Sequence, residues 1–178
     1  MTKREEFGPT GAVVMEGTKA TLVFRRRLAS SPEVVWKALT DSSELSRWYM
    51  TKAVIDGREG GTIDFIAGPS RLHVTGRILT WRPPTVFEHE WKVSPRPELQ
   101  SGEDAIIRWE LLRDGEGTIL HLEHRELNRE TALGFAPGTH AFMDRLQAQL
   151  DNLPLPNWQE RYQQVASSYP ASWGSKRS

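Results

Sequence analysis

The chain has 178 residues, 38% of them apolar, and its 23 lysines and arginines balance 23 aspartates and glutamates. That length fits one domain with a core, and the balanced charge gives no field to draw in nucleic acid or an acidic membrane. The absence of cysteine excludes disulfides, thiolate metal sites and a cysteine nucleophile.

No apolar run approaches the ~20 residues that a membrane-spanning helix needs. Met1 to Gly11 is polar and charged, without the apolar stretch of a secretory signal, so a cytoplasmic protein is expected. Residues 1–17 read as a flexible N-terminal tail, because Gly8, Pro9 and Gly11 argue against regular structure. Thr18 to Leu28 reads as a first strand, with Leu22, Phe24 and Leu28 on one face. Arg26 falls on that apolar face, either near the open end of the strand or as a buried cation needing a partner. The run Arg25–Arg26–Arg27 reads as alternating sides of an edge strand rather than a phosphate patch. Two short helices follow. Ser31 with Pro32, or Ser30 with Glu33, starts the first, and Asp41 or Ser42 caps the second, which carries Leu45, Trp48 and Tyr49.

From Ala53 the apolar period becomes two. Ala53 to Asp56 and Thr62 to Ile66 are short strands joined through Gly57 and Gly60–Gly61, and Leu72 to Trp81 is the next strand. After Pro83–Pro84, Phe87, His89, Trp91 and Val93 alternate with Glu88, Glu90 and Lys92, which places Glu88 and Glu90 on the outer face. Asp104 to Leu112 and Thr118 to Glu126 form a hairpin around Asp114–Gly115. Leu127 to Ala136 reads as a connection into a long amphipathic helix from Pro137 to Leu153. That helix has an apolar stripe of Phe142, Met143, Leu146, Leu150 and Leu153, with Asp144, Arg145 and Gln149 off it. Residues 18–153 are thus one domain, and residues 154–178 an extension, partly disordered, with a short helix from Asn157 to Ala166. The fold class is α+β: a curved seven-stranded antiparallel sheet, two short helices between its first two strands, and a long helix across one face.

Several ordered signatures resemble the SRPBCC (START-like, helix-grip) superfamily, and within it the branch named after the activator of heat-shock-protein ATPase. They are Pro32–Glu33–Val34–Val35–Trp36, Leu39–Thr40–Asp41, Leu45 with Trp48–Tyr49, Gly60–Gly61–Thr62 and Gly76–Arg77–Ile78–Leu79. Pro83–Pro84 with Phe87 to Trp91, Thr118 to His124, and Gly138 with Phe142 to Leu146 complete the set. The resemblance implies a sheet gripping the C-terminal helix with a cavity between them, and it does not imply one chemistry. One departure is local: the last helix of the branch often opens with Gly-Trp, whereas here Thr139 and His140 follow Gly138.

Counting faces gives a cavity lining of Phe65, Phe87, His89, Trp91, Trp109, Leu122 and His124 from the strands. Trp48, Tyr49, Phe142, Met143 and Leu146 would join from the helices. His89 and His124 stand out because both fall on otherwise apolar faces, where an imidazole either meets a ligand or is satisfied within the core. No catalytic residue, cofactor or metal site is expected, since no converging His, Asp or Glu spacing and no phosphate or dinucleotide fingerprint occurs. The first reading is a non-catalytic or regulatory binder of a small hydrophobic molecule. A cyclase- or aromatase-like enzyme using a cavity histidine is the second. The third is an interaction or co-chaperone-like module, as a homodimer, using the sheet edge and the tail with Trp158 and Trp173.

Overall fold

A computed structural model describes residues 7–171. In chain order they form β1 (Ala12–Glu16), β2 (Lys19–Leu28), α1 (Pro32–Thr40), α2 (Ser42–Trp48), β3 (Ala53–Ile55) and β4 (Thr62–Ala67). There follow β5 (Leu72–Arg82), β6 (Val86–Val93), β7 (Glu103–Asp114), β8 (Gly117–Asn128), α3 (Arg129–Leu150) and α4 (Trp158–Val165). The strands make one antiparallel sheet in the order β1-β2-β8-β7-β6-β5-β4-β3. Every connection from β3 to β8 is a turn between neighbours. The single long crossing is made by α1 and α2, which carry the chain from β2 to the far end at β3. The helix-grip α+β architecture expected from the sequence is the one observed. No described helix is long and apolar enough to cross a membrane.

Strand faces follow the period-two pattern. Leu22 and Phe24, Ile63 and Phe65, Phe87 and Trp91, Ile107 and Trp109, and Leu120 and Leu122 point to one buried face. Trp48 closes the core from α2, only 1% exposed, with its indole N–H donating to the Ala38 carbonyl at 2.8 Å. Burial of side chains of this size contributes roughly 1.5–3 kcal/mol each.

Several expectations need correction. The sheet has eight strands, not seven, because Ala12–Glu16, read as tail, pairs with β2. Gly17, at φ +61, supplies the left-handed residue that lets Glu16 face Lys19 across a tight turn. As a result β2 is an internal strand, and its arginines do not lie on an edge. The long helix begins at Arg129, directly after β8, and ends at Leu150, so residues 129–136 are helix and not connection. Pro137 lies inside it, where its ring removes one intrahelical bond without ending the helix. Leu153 is 60% exposed and belongs to no stripe, whereas Arg145 and Gln149, expected off the stripe, are buried. Glu88 is on the outer face as counted, yet it too is buried, held by Arg125 at 2.9 Å and Arg108 at 3.4 Å. Burial alone would push its carboxyl pKa up, but those two guanidinium groups win and hold it below the ordinary value.

Arg26 is the buried cation. Its guanidinium meets Asp144 at 2.7 Å and donates to the Pro9 carbonyl at 2.9 Å. Arg145 donates to the carbonyls of Trp48 (2.9 Å) and Arg47 (2.8 Å) and to that of Pro156. The Arg47 and Trp48 carbonyls end α2 without intrahelical partners, where a cation is favoured. Beyond α3, Asn157 caps α4 by accepting from Glu160 N–H at 3.0 Å. α4 then docks on α3: Trp158 donates to the Gly138 carbonyl and Tyr162 to the Gly134 carbonyl, both at 3.1 Å, and Arg161 pairs with Asp144 at 2.6 Å. Trp173 lies outside the described residues, as does the end of the C-terminal extension.

Candidate functional site

Between the inner face of the sheet and α3, from Arg129 to Met143, lies a cavity of about 850 Å³. Its sheet-side wall is Trp91, Ile107, Trp109, Leu122 and His124, with Trp48 and Tyr49 at one end. Its roof is α3, through Gly134, Phe135, Gly138, Phe142 and Met143. The mouth is polar and lies between the 97–102 loop, residues Asn128–Thr131, and the α4 side chains Trp158 and Tyr162.

Of the twelve side chains expected to line the site, Trp48, Tyr49, Trp91, Trp109, Leu122, His124, Phe142 and Met143 face this cavity. Phe65, Phe87 and His89 instead line a second void of about 40 Å³, on the other side of a wall made by Tyr49, Trp91 and Trp109. That void has room for about one water molecule and none for an organic ligand. Leu146 lines neither and is packed solidly in the core.

The two histidines occupy one cross-strand row, His89 opposite Ile107 and Ile107 opposite His124, but in different chemical settings. His89 Nδ1 lies 2.7 Å from the Glu90 carbonyl, which can only accept, so Nδ1 carries the proton. Burial drives its pKa down to about 4, against the weaker upward pull of that hydrogen bond and of Glu88. His124 is 4% exposed and wedged between Trp91, with ring centroids 5.0 Å apart, and Phe135, stacked at 6.3 Å. Burial, reinforced by His89, drives its pKa to about 3, so it is neutral at pH 7. Its Nε2 is buried and has no hydrogen-bond partner among the described residues. Burial also raises the Tyr49 hydroxyl above its ordinary value, against a smaller effect of Trp91, so that end of the cavity is uncharged as well.

Charge appears at the mouth. Glu98, Arg129 and Glu130 line the opening and are exposed; Arg129 donates to the Gly17 carbonyl at 3.2 Å. Among the described residues no group of three His, Asp or Glu side chains could hold a metal ion. Chemically the arrangement offers a cavity with an aromatic inner wall that opens through a polar mouth.

Sequence reasoning missed the roof residues Gly134 and Phe135, which fall in the stretch expected to be a connection, and placed Gly138 in the long helix without assigning it to the cavity. It also missed Tyr162, although Trp158 and Tyr162 sit at i, i+4 spacing, a pattern that marks one helix face. At Gly138 a side chain would meet Trp158 at 3.0 Å. The aromatic that lies over this part of α3 therefore comes from the extension.

The family model for activator of Hsp90 ATPase homolog 1-like proteins matches residues 29–151. The chain belongs to this family. α4 and its two cavity-lining aromatics fall beyond the matched segment. CalU16 from Micromonospora echinospora is a similar solved structure, 24% identical, covering 89% of this chain and 94% of its own, with a TM-score of 0.69. A Bordetella parapertussis protein, BPP1335, is 22% identical over 95% of this chain and 93% of its own, also at 0.69. The Aha1 protein of Colwellia psychrerythraea, solved as a dimer, is 19% identical over 73% of this chain and 95% of its own, at 0.60. At these identities the likeness is one of fold. No curated protein sequence matches the chain.

Proposed function

We propose that this family member binds a small hydrophobic or aromatic molecule in the cavity between the sheet and α3, as a non-catalytic or regulatory protein of the cytoplasm. The observation that carries the reading is an open-mouthed cavity of about 850 Å³ walled by Trp48, Trp91, Trp109 and Phe142, with charge confined to its mouth. A cavity of that size suits a drug-sized ligand, and aromatic walls with few polar groups favour an apolar one. Catalysis by the cavity histidine is disfavoured, because a general base works best with a pKa near the operating pH, and His124 lies far below it.

N-phenyl-1-naphthylamine, an uncharged dye that brightens in apolar surroundings, tests the proposal. It should bind the native protein saturably, and Gly134→Leu should abolish binding. A Cβ at Gly134 meets nothing within 4 Å, so the added side chain would occupy the cavity. Absence of saturable binding to the native protein, or binding undiminished by Gly134→Leu, would overturn it.

Homodimerisation is a second reading, favoured by exposed apolar side chains at both sheet edges, Val14 at 44% on β1 and Val54 at 74% on β3. Light scattering across a concentration series checks it: a monomer at every concentration removes it.

A further inference from the structure

The aromatic side of the cavity does not end with α3. Tyr49, Phe142, Trp158 and Tyr162 form one row of rings, with successive centroids 4.5, 5.3 and 5.3 Å apart, from the Tyr49 end of the cavity to its mouth. None of the four is sealed: each is half-buried and lines the cavity. We propose that α4 is part of the binding site, and that the ligand is an elongated aromatic molecule of three or more rings whose outer end lies against Trp158 and Tyr162. The inference rests on the cavity being a binding site, as proposed above.

Three observations carry it. First, the donors of both α4 rings are already spent. The Trp158 indole N–H and the Tyr162 hydroxyl donate to the Gly138 and Gly134 carbonyls, which holds the rings in place and leaves their apolar surface over. Second, α4 is fixed before any ligand arrives. Arg161 pairs with Asp144 at 2.6 Å, and Arg145 donates to the Pro156 carbonyl just ahead of the helix. Aromatic surface held ready costs a ligand little ordering. Third, α3 is cut back beneath α4. At Gly138 a Cβ would lie 3.0 Å from Trp158, and at Gly134 one would enter open space. Gly138 thus lets α4 approach, and Gly134 leaves room beside it. A two-ring molecule seated against Tyr49 covers the first step of the row, and a third ring brings it to Trp158.

N-phenyl-1-naphthylamine and 1-naphthylamine differ by one phenyl ring and make a matched pair, the second measured by displacing the first. The native protein should prefer the longer probe, and Trp158→Ala should cut that preference about ten-fold, the scale of one aromatic contact. Trp158→Phe, which keeps a ring without the N–H, should retain more of the preference and guards against an alanine variant that loosens the fold. Gln163→Ala changes an exposed side chain of α4 outside the cavity and should leave the preference as it is. Saturating the native protein with the longer probe should also slow amide exchange across residues 158–165, because a ligand held by docked α4 stabilises the docking.

A preference unchanged in Trp158→Ala, one lowered as much by Gln163→Ala, one no better kept by Trp158→Phe than by Trp158→Ala, or exchange in α4 indifferent to the probe would overturn the assignment to α4. The cavity reading would survive each of these, since it stands or falls on binding itself and on Gly134→Leu. Failure of both probes to bind the native protein would overturn both.

Discussion

The two halves of α3 do different work with the same backbone. From Arg129 to Gly138 the helix meets the sheet side through Ala132, Ala136 and Phe135, and at Gly134 nothing stands within 4 Å of where a Cβ would be. From Thr139 to Leu150 it is clamped on both sides. Asp144 holds Arg26 and Arg161, Arg145 ties α2 and Pro156, and Gln149 donates to the Glu44 carboxylate at 2.7 Å. His140 Nδ1 lies 2.9 Å from the Tyr169 hydroxyl. The second half fixes the helix, so the first half can leave space beside Gly134 between its own contacts to the sheet. A void in a protein is sustained by rigidity somewhere else.

The contrast can be broken from either side. The largest expected effect is at Asp144→Ala, which leaves Arg26 buried without its carboxylate. Loss of about 3 kcal/mol follows, read as a lowered urea midpoint. Dye affinity of the molecules still folded should hardly change. Gly134→Leu should do the reverse, with about a hundred-fold loss of dye affinity and a thermal midpoint equal to or above native, since glycine costs a helix interior about 1 kcal/mol.

His140→Leu and His124→Leu come next. The first takes the acceptor from the Tyr169 hydroxyl, which keeps only the Gly11 N–H, and should cost roughly 1 kcal/mol by denaturant titration. The second removes an atom with no partner and should leave stability equal or higher. Both should flatten the acid limb of stability. Burial lowers His140 to about 4 and His124 to about 3, so the folded state binds fewer protons than the unfolded state below about pH 6.5. Stability is therefore complete above that pH and falls as acid is added, by up to about 1.4 kcal/mol per unit for each group. Between pH 6.5 and 4.5 this slope belongs mostly to histidines, before ordinary carboxylates titrate. Least of all, Arg27→Ala breaks an exposed pair with Asp114 and should shift stability by less than about 0.5 kcal/mol.

What could be read from the chain beforehand divides along physical lines. The sheet wall was legible because alternation along a strand is geometric: once Phe87, His89 and Trp91 share a face, Trp109, Leu122 and His124 follow by the same count. Of the roof, Phe142 and Met143 were legible and the first turns of α3 were not, because Gly134 and Pro137 are poor helix formers. The segment is helical through packing of Ala132 and Ala136, both 0% exposed, on the core and through the bonds from α4. β1 was hidden for a related reason: five residues between Gly11 and Gly17 show no strong alternation, and their order comes from pairing with β2. Arg145 and Gln149 look like surface residues until the open carbonyl of Trp48 and the Glu44 side chain are placed beside them. The partition of His89 into a small void and His124 into the large one depends on the Tyr49 and Trp91 rings, which no strand count foresees.

The meeting of Gly11 and Tyr169, whose hydroxyl accepts the Gly11 N–H at 2.8 Å, has a consequence for re-engineering. Polypeptide near the start and near the finish of the described fold arrives at one spot, so a short Gly/Ser bridge suffices to join them. New ends opened at the solvent-facing Asp114–Gly117 bend would leave all eight strands with their present neighbours. Such a circular permutant would keep the grip on α3 while moving the fusion points for a reporter to the opposite side of the hairpin.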